Sequence, residues 1–216
     1  MRTTWLLDLD NTLHNASAHV FPHIHRSMTA WLARHLDLSE EAANALRIQY
    51  WQRYGATLAG LVRHHGVDPR HFLHDTHQFE RLHEMVVSER ALRTMLRRLP
   101  GRKIVFSNGP HAYANAVVRA LGIEREIDNV FAIEHMRYQP KPSIVGFREL
   151  LRRHRLQPQR CILVEDSTAN LRTAKRLGMK TVLVGRGPGR PAYADLKISS
   201  VLALRKHAGW LLGAAG

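Results

Sequence analysis

A short apolar run, Trp5-Leu6-Leu7, ends in the acidic pair Asp8 and Asp10, and no second strand-like segment follows between about Asn15 and Glu89. That gap is the strongest constraint on the fold. Apolar residues at helical spacing fill it: Ile24, Met28, Trp31, Leu32 and Leu36, then Ala43, Leu46, Tyr50 and Tyr54, then Leu58, Leu61, Val62 and His65. Ser39, followed by Glu40 and Glu41, predicts a helix start, and Asp68-Pro69 predicts another. Past the gap the rhythm changes. Apolar runs at 103–106, 130–133, 160–164 and 180–184, with a weaker one at 195–198, alternate with helical segments. The first such helix spans 88–99; later ones place Tyr113, Ala116, Val117, Ala120 and Leu121, then Ile144, Phe147, Leu150 and Leu151, on single faces. The next runs 167–177 and the last starts at Ser199.

Continuous apolar strands alternating with helices predict a parallel sheet covered on both faces. The first strand belongs to that sheet but is cut off from it by helices. The expected architecture is therefore an α/β core, residues 1–14 and 90–216, with an all-helical insertion at 15–89.

The ends of these strands carry the chemistry. Residues i and i+2 of a strand point the same way, so Asp8 and Asp10 leave its C-terminal end together. Two carboxylates there repel unless a cation or a proton intervenes. In a parallel sheet all C-terminal ends share one edge. That edge is predicted to collect Asp8 and Asp10, Ser107 and Asn108, Arg137 and Lys141, and Glu165 and Asp166. Hard carboxylate oxygens suit Mg2+. A lysine, a hydroxyl and the helix start after Ser107-Asn108-Gly109-Pro110 suit an anion.

Four segments resemble the motifs of the haloacid dehalogenase-like superfamily, and of its phosphatases in particular. Asp8-Leu9-Asp10-Asn11-Thr12-Leu13 resembles D-x-D-x-T-L, Ser107 the second motif, Lys141 in Pro140-Lys141-Pro142 the third, and Glu165-Asp166-Ser167-Thr168-Ala169-Asn170 the E-D-S-x-x-N fourth. The resemblance implies a Rossmann-like core with a C1-type helical cap. The segments 54–61, 137–142 and 170–179 are similar to the pyrimidine 5'-nucleotidase branch, which makes Tyr54 and Thr57 candidate substrate contacts. His14 departs from the aromatic residue common in such relatives.

What the resemblance implies is an Mg2+-dependent phosphatase for a pyrimidine nucleoside monophosphate. Asp8 would be the nucleophile and Asp10 the acid/base. Lys141, Ser107 and Asn108 would hold the phosphoryl group. Asp8, Asp166 and the backbone carbonyl of Asp10 would hold the metal, with Glu165, Ser167 and Asn170 in support. Dehalogenases resembling this fold lack a counterpart of Asp10, which favours phosphoryl transfer. A phosphoglycolate or sugar-phosphate phosphatase is the neighbouring reading.

The formal charge of +14 would attract anions, including nucleic acid, but the basic residues are scattered and form no recognisable nucleic-acid module. A nucleic-acid-binding protein on this fold is the disfavoured reading. The single cysteine, Cys161, suits a reducing cytoplasm. Arg2, the first apolar run and Ala16-Ser17-Ala18 imitate a signal peptide, but Asp8 and Asp10 break the run. No stretch is long enough to span a membrane, and the sequence implies no particular oligomer. His71, His74 and His77 are spaced in a way that drifts around a helix, and read as a solvated or half-buried helix face rather than a metal site. Residues 185–189 read as a loop, since Gly185-Arg186-Gly187-Pro188-Gly189 lacks the dinucleotide pattern.

Overall fold

The computed structural model describes residues 3–213. Met1 and Arg2, at the start of the expected core and of the signal-like segment, and residues 214–216 at its end lie outside the described residues. The strands β1 (Thr4–Leu7), β2 (Arg102–Phe106), β3 (Asn129–Phe131), β4 (Cys161–Glu165), β5 (Lys180–Val184) and β6 (Leu196–Ile198) form one sheet in the order β3-β2-β1-β4-β5-β6. Every pairing is parallel. The sheet winds outward in both directions from β1, which places the switch point for ligand binding at its C-terminal end. Leu7 lies opposite both Val105 and Val164, so the residues just after β1 meet those ending β2 and β4.

Alternate strand residues feed two cores. Trp5, Leu7, Val105, Ile162 and Val164 pack with α6 (Leu92–Arg98), α7 (His111–Ala120) and α10 (Leu204–Leu212). Leu6, Ile104, Phe106 and Leu163 pack with Phe147 and Leu150 of α8 (Ile144–His154) and with Leu171 and Ala174 of α9 (Thr168–Arg176).

The helical segment between β1 and β2 holds α1 (Val20–Leu36), α2 (Glu40–Tyr54), α3 (Thr57–His65), α4 (Pro69–Thr76) and the short α5 (Leu82–Met85). Val20 and Ile24 at the start of α1 join the sheet core, whereas Trp31 and Leu32 pack with Ala43, Tyr50, Leu58, Leu61, Phe72 and Leu73. One helix therefore runs from core into cap. The caps follow their residue chemistry: Ser39 Oγ accepts from the Ala42 N–H, and the Asp68 carboxylate accepts from Arg70 N–H with Pro69 in the first turn. Gly60 lets α3 close on α2, since a β-carbon there would sit 2.2 Å from the Tyr50 ring.

Several local expectations are corrected. The helix expected at 88–99 is confined to α6, because the preceding segment runs back along the first motif loop, where Asn15 N–H donates to Val87 O at 2.8 Å. The strand expected at 130–133 stops at Phe131; Ile133 enters a 3-10 turn and its N–H donates to Gly109 O instead. The buried face of α7 is Tyr113, Ala114, Val117 and Val118, with Ala120 exposed. On α3, Leu58 and Leu61 are buried while Val62 and His65 are exposed. Ile144 at the start of α8 is exposed as well. Among the described residues no helix is long and apolar enough to cross a membrane.

Candidate active site

The first motif loop is built by local backbone chemistry. Leu13 N–H closes a turn on Leu9 O at 2.9 Å, and Asn11 adopts a left-handed conformation at φ 61°. Asn tolerates that region because its side chain bonds locally; Asn11 Oδ1 accepts from Ser17 N–H at 3.0 Å. The turn leaves Asp8 buried and Asp10 partly open.

Lys141 is the hub of the site. It is 1 % exposed, and its ammonium donates to Asp8 Oδ1 at 2.7 Å, Glu165 Oε2 at 2.8 Å and Phe106 O at 2.7 Å. All three donors are thus engaged. The backbone of Lys141 is pinned by Asn108, whose Oδ1 accepts from the Lys141 N–H at 2.8 Å and whose Nδ2 donates to Lys141 O at 3.0 Å. Asn108, a predicted phosphate contact, therefore spends its side-chain amide on orienting Lys141. Ser107 is fully buried at the end of β2; its Oγ accepts from the Gly109 N–H at 2.9 Å.

Carboxylate oxygens of Asp8, Glu165 and Asp166 lie within 4.8 Å of one another. Burial, then the charge of Glu165, pushes the Asp8 carboxyl up to about 7 against the pull of Lys141. Glu165 and Asp166 are also raised, each chiefly by burial. Burial alone would lower Lys141, but Asp8 and Glu165 together outweigh it and hold the ammonium protonated. Three carboxylates facing one lysine leave an excess of hard negative donors, the composition that suits a divalent cation. Glu165, expected only in support, is the third carboxylate of this group. Ser167 reaches it through its N–H, 3.1 Å from Glu165 Oε1, and Asn170 is buried two residues into α9.

Asp10 stands apart from that cluster. Its Oδ1 accepts from the Tyr113 hydroxyl at 2.5 Å and lies 2.9 Å from His14 Nε2. Behind Tyr113 stand two residues beyond α4, Phe79 stacked at 5.5 Å and His77 edge-on at 5.6 Å. Neither Tyr113 nor His77 is evident from the sequence as a site residue. The available signal for Tyr113 was its place on the buried face of the helix that follows Ser107.

The α2–α3 turn reaches the core at Gly55. A β-carbon there would lie 2.9 Å from Pro142 Cδ and 3.7 Å from Lys141 O. Beside it, the Tyr54 hydroxyl pairs with His64 Nε2 at 2.6 Å. Thr57 is turned inward instead: it is buried, and its Oγ1 donates to Arg47 O at 3.1 Å. The structure thus brings Asp8, Asp10, Ser107, Asn108, Lys141, Glu165 and Asp166 to one sheet edge, sets Tyr54 next to the cap turn, and commits Thr57 to helix packing.

Fold and edge together define an α/β enzyme with a helical cap above a carboxylate–lysine site, and sequence comparison narrows the class. A family model described as haloacid dehalogenase-like hydrolase matches residues 3–178. The chain belongs to that family of hydrolases. It is also similar to Phosphate metabolism protein 8 of Saccharomyces cerevisiae, 24 % identical over 199 residues, covering 84 % of this chain. The chain spans 61 % of the length of that relative. Among solved structures, a HAD phosphatase from Thermococcus onnurineus matches with a TM-score of 0.68 and 19 % identity, covering 97 % of this chain and 98 % of that one. L-2-haloacid dehalogenase from Xanthobacter autotrophicus, with chloropropionic acid covalently bound, matches with a TM-score of 0.62 and 15 % identity over the whole of both chains. At these identities the structural likeness is one of fold.

Proposed function

We propose that the protein is a phosphomonoesterase that works through an aspartyl-phosphate on Asp8, with Mg2+ as its cofactor and a pyrimidine nucleoside 5'-monophosphate as its substrate. The observation that carries the reaction type is the setting of Asp10. Expelling a halide needs no proton, whereas expelling an alkoxide does. Asp10 is held beside the nucleophile by two donors on one oxygen, Tyr113 and His14 on Oδ1, which leaves Oδ2 to carry the proton.

The excess of carboxylates over the single lysine fits Mg2+, held by Asp8, Asp166 and the backbone carbonyl of Asp10, with Glu165 in support. When bound, the cation neutralises the phosphoryl oxygens and polarises phosphorus. Lys141 fixes Asp8 through Oδ1, so Oδ2 makes the attack. The Asp8 oxygen–phosphorus bond forms as the ester bond breaks, and Asp10 passes its proton to the leaving oxygen. Asp10 then takes a proton from the water that attacks phosphorus, which frees phosphate and restores Asp8. The charge of Lys141 and the Asn108 N–H after Ser107 steady the charge on the transferring group, since the Gly109 N–H is committed to Ser107 Oγ and the His111 N–H to Glu134.

Residues 15–89 act as the cap in this reading, with 3–14 and 90–213 as the core among the described residues. The pyrimidine preference rests on the resemblance of segments 54–61, 137–142 and 170–179 to the pyrimidine 5'-nucleotidase branch; Gly55 of the first packs on the Lys141-Pro142 loop, which puts this cap turn next to Lys141. Phosphate release from UMP, dUMP, CMP, AMP, phosphoglycolate and sugar phosphates tests it. Pyrimidine nucleotides should lead, and Asp8→Asn should abolish turnover. An equal response to all six substrate types removes the nucleotide assignment. Substantial activity in Asp8→Asn removes the nucleophile.

A further inference from the structure

A second cluster of ligating side chains lies on the cap, outside the sheet edge. His71 and Asp75 sit four residues apart on one face of α4, with His71 Nε2 3.1 Å from Asp75 Oδ2. His35, from the last turn of α1, completes the group: ligand atoms of His35, His71 and Asp75 all lie within 4.8 Å of one another. The histidine spacing along α4 alone argues against a metal. Folding alters the set by replacing His74 and His77 with a histidine from another helix and adding a carboxylate.

We infer that His35, His71 and Asp75 form a binding site for a divalent transition ion of the Zn2+ type, which staples the end of α1 to α4. Two imidazoles are borderline donors, and with one carboxylate they make a set that prefers Zn2+, Co2+ or Ni2+ to Mg2+. The geometry fits. Ligands at 2.0–2.1 Å from a tetrahedral ion stand about 3.3 Å apart, close to the 3.1 Å between His71 and Asp75.

The ligands are also oriented from behind, as metal ligands are. His35 Nδ1 donates to Trp31 O at 2.9 Å, which fixes the tautomer and leaves Nε2 as the ligating atom. Its ring lies flat on Trp31, centroids 3.8 Å apart and planes 9° from parallel. Trp31 Nε1 donates to Asp75 Oδ2 at 3.2 Å, and His74 Nδ1 lies 3.1 Å from the other oxygen. A buried tryptophan thus positions two of the three ligands. His35 and His71 are exposed, so an ion can enter, and water can fill the fourth position.

Untagged, chelator-stripped protein in excess Mg2+, which keeps the sheet-edge carboxylates occupied, is titrated with Zn2+ by calorimetry and with Co2+ by visible absorption. One equivalent should bind, the thermal midpoint should rise, and Co2+ should quench Trp31 fluorescence. His35→Ala and His71→Ala should each weaken binding at least tenfold and remove the thermal gain. Trp31→Phe should weaken it roughly tenfold by freeing Asp75. His83→Ala, an exposed cap histidine outside the cluster, should leave binding unchanged. Circular dichroism on each metal-free variant separates lost ligands from lost fold. No binding by the wild-type protein in excess Mg2+, or wild-type affinity in folded His35→Ala, overturns the site.

Discussion

His14 presents Nε2 to Asp10 Oδ1 at 2.9 Å, and that oxygen is the one the Tyr113 hydroxyl also reaches. With Nε2 donating, the His14 Nδ1 lone pair is left buried without a partner among the described residues, a cost of about 1–3 kcal/mol. The pairing is therefore held at the expense of stability. His14→Phe should remove that cost and one of the two donors that position Asp10. Loss of one hydrogen bond, about 0.5–1.5 kcal/mol, predicts roughly a twofold to tenfold fall in kcat with KM little changed. The thermal midpoint should hold or rise. Steady-state kinetics with thermal denaturation checks both, and an unchanged kcat would remove the positioning role.

Lys141 joins Asp8 to Glu165 in the interior, so its loss strands two buried carboxylates. Removing one partner of such a group costs about 3–5 kcal/mol. Lys141→Met should show that loss in full without a divalent cation and recover more stability on adding Mg2+ than the wild type does. In the proposed mechanism turnover should fall at least ~10²-fold even at saturating Mg2+, because the fixed positive charge that holds Asp8 is gone. Thermal melts with and without Mg2+ report the first effect. A melt indifferent to the substitution would contradict the buried bridge.

The sheet was readable from residue pattern because its strands are continuous apolar runs, a signal that survives without tertiary context. That Asp8, Asp10, Ser107 and Asp166 share an edge was readable because parallel topology gathers strand ends there, whereas Lys141 lies well past the end of β3 and is brought in by its loop. Tertiary geometry hid the rest. Nothing local in Asn108 shows that its amide will clasp Lys141 across 33 residues. Tyr113 reads as a core residue and is one, yet its hydroxyl extends to Asp10. Thr57 looks like a substrate contact until α3 packs on α2 and turns its hydroxyl to Arg47 O. His35 and His71 sit on separate helices, so no spacing rule could pair them.

Gly55 and Gly66 both adopt left-handed conformations, at φ +80° and +63°, and differ in what surrounds them. Alanine at either should cost about 1–2 kcal/mol of backbone strain. At Gly66 nothing lies within 4 Å of the new β-carbon, whereas at Gly55 it would meet Pro142 Cδ at 2.9 Å. Gly55→Ala should therefore push the cap turn off the Lys141 loop. The expected result is a several-fold rise in KM for a nucleotide and a smaller change for p-nitrophenyl phosphate. Gly66→Ala should lose comparable stability with unchanged kinetics. Matching kinetic profiles for the two variants would show that the contact at Pro142 does not shape the site.

His77 stands edge-on to Tyr113 with its Nδ1 3.2 Å from Leu73 O, and burial holds its imidazole down to about 4 against the opposing pull of Asp10. Above pH 6.5 the ring is neutral in the folded and unfolded chains alike, and its contribution to stability is complete. As pH falls from 6.5 towards 4 the unfolded chain gains a proton that the folded one refuses, so stability is lost across that window. Part of the residue remains exposed, which limits the effect to about 1–2 kcal/mol. The wild-type thermal midpoint should therefore fall between pH 7 and pH 5, and fall less in His77→Gln, which has no proton to gain. Because His77 follows α4 and Tyr113 leads α7, protonation should first loosen the cap where it backs Asp10. Hydrogen exchange at pH 5 should then rise at residues 76–79 before it rises in the sheet; uniform exchange across cap and sheet would place the acid-sensitive step elsewhere.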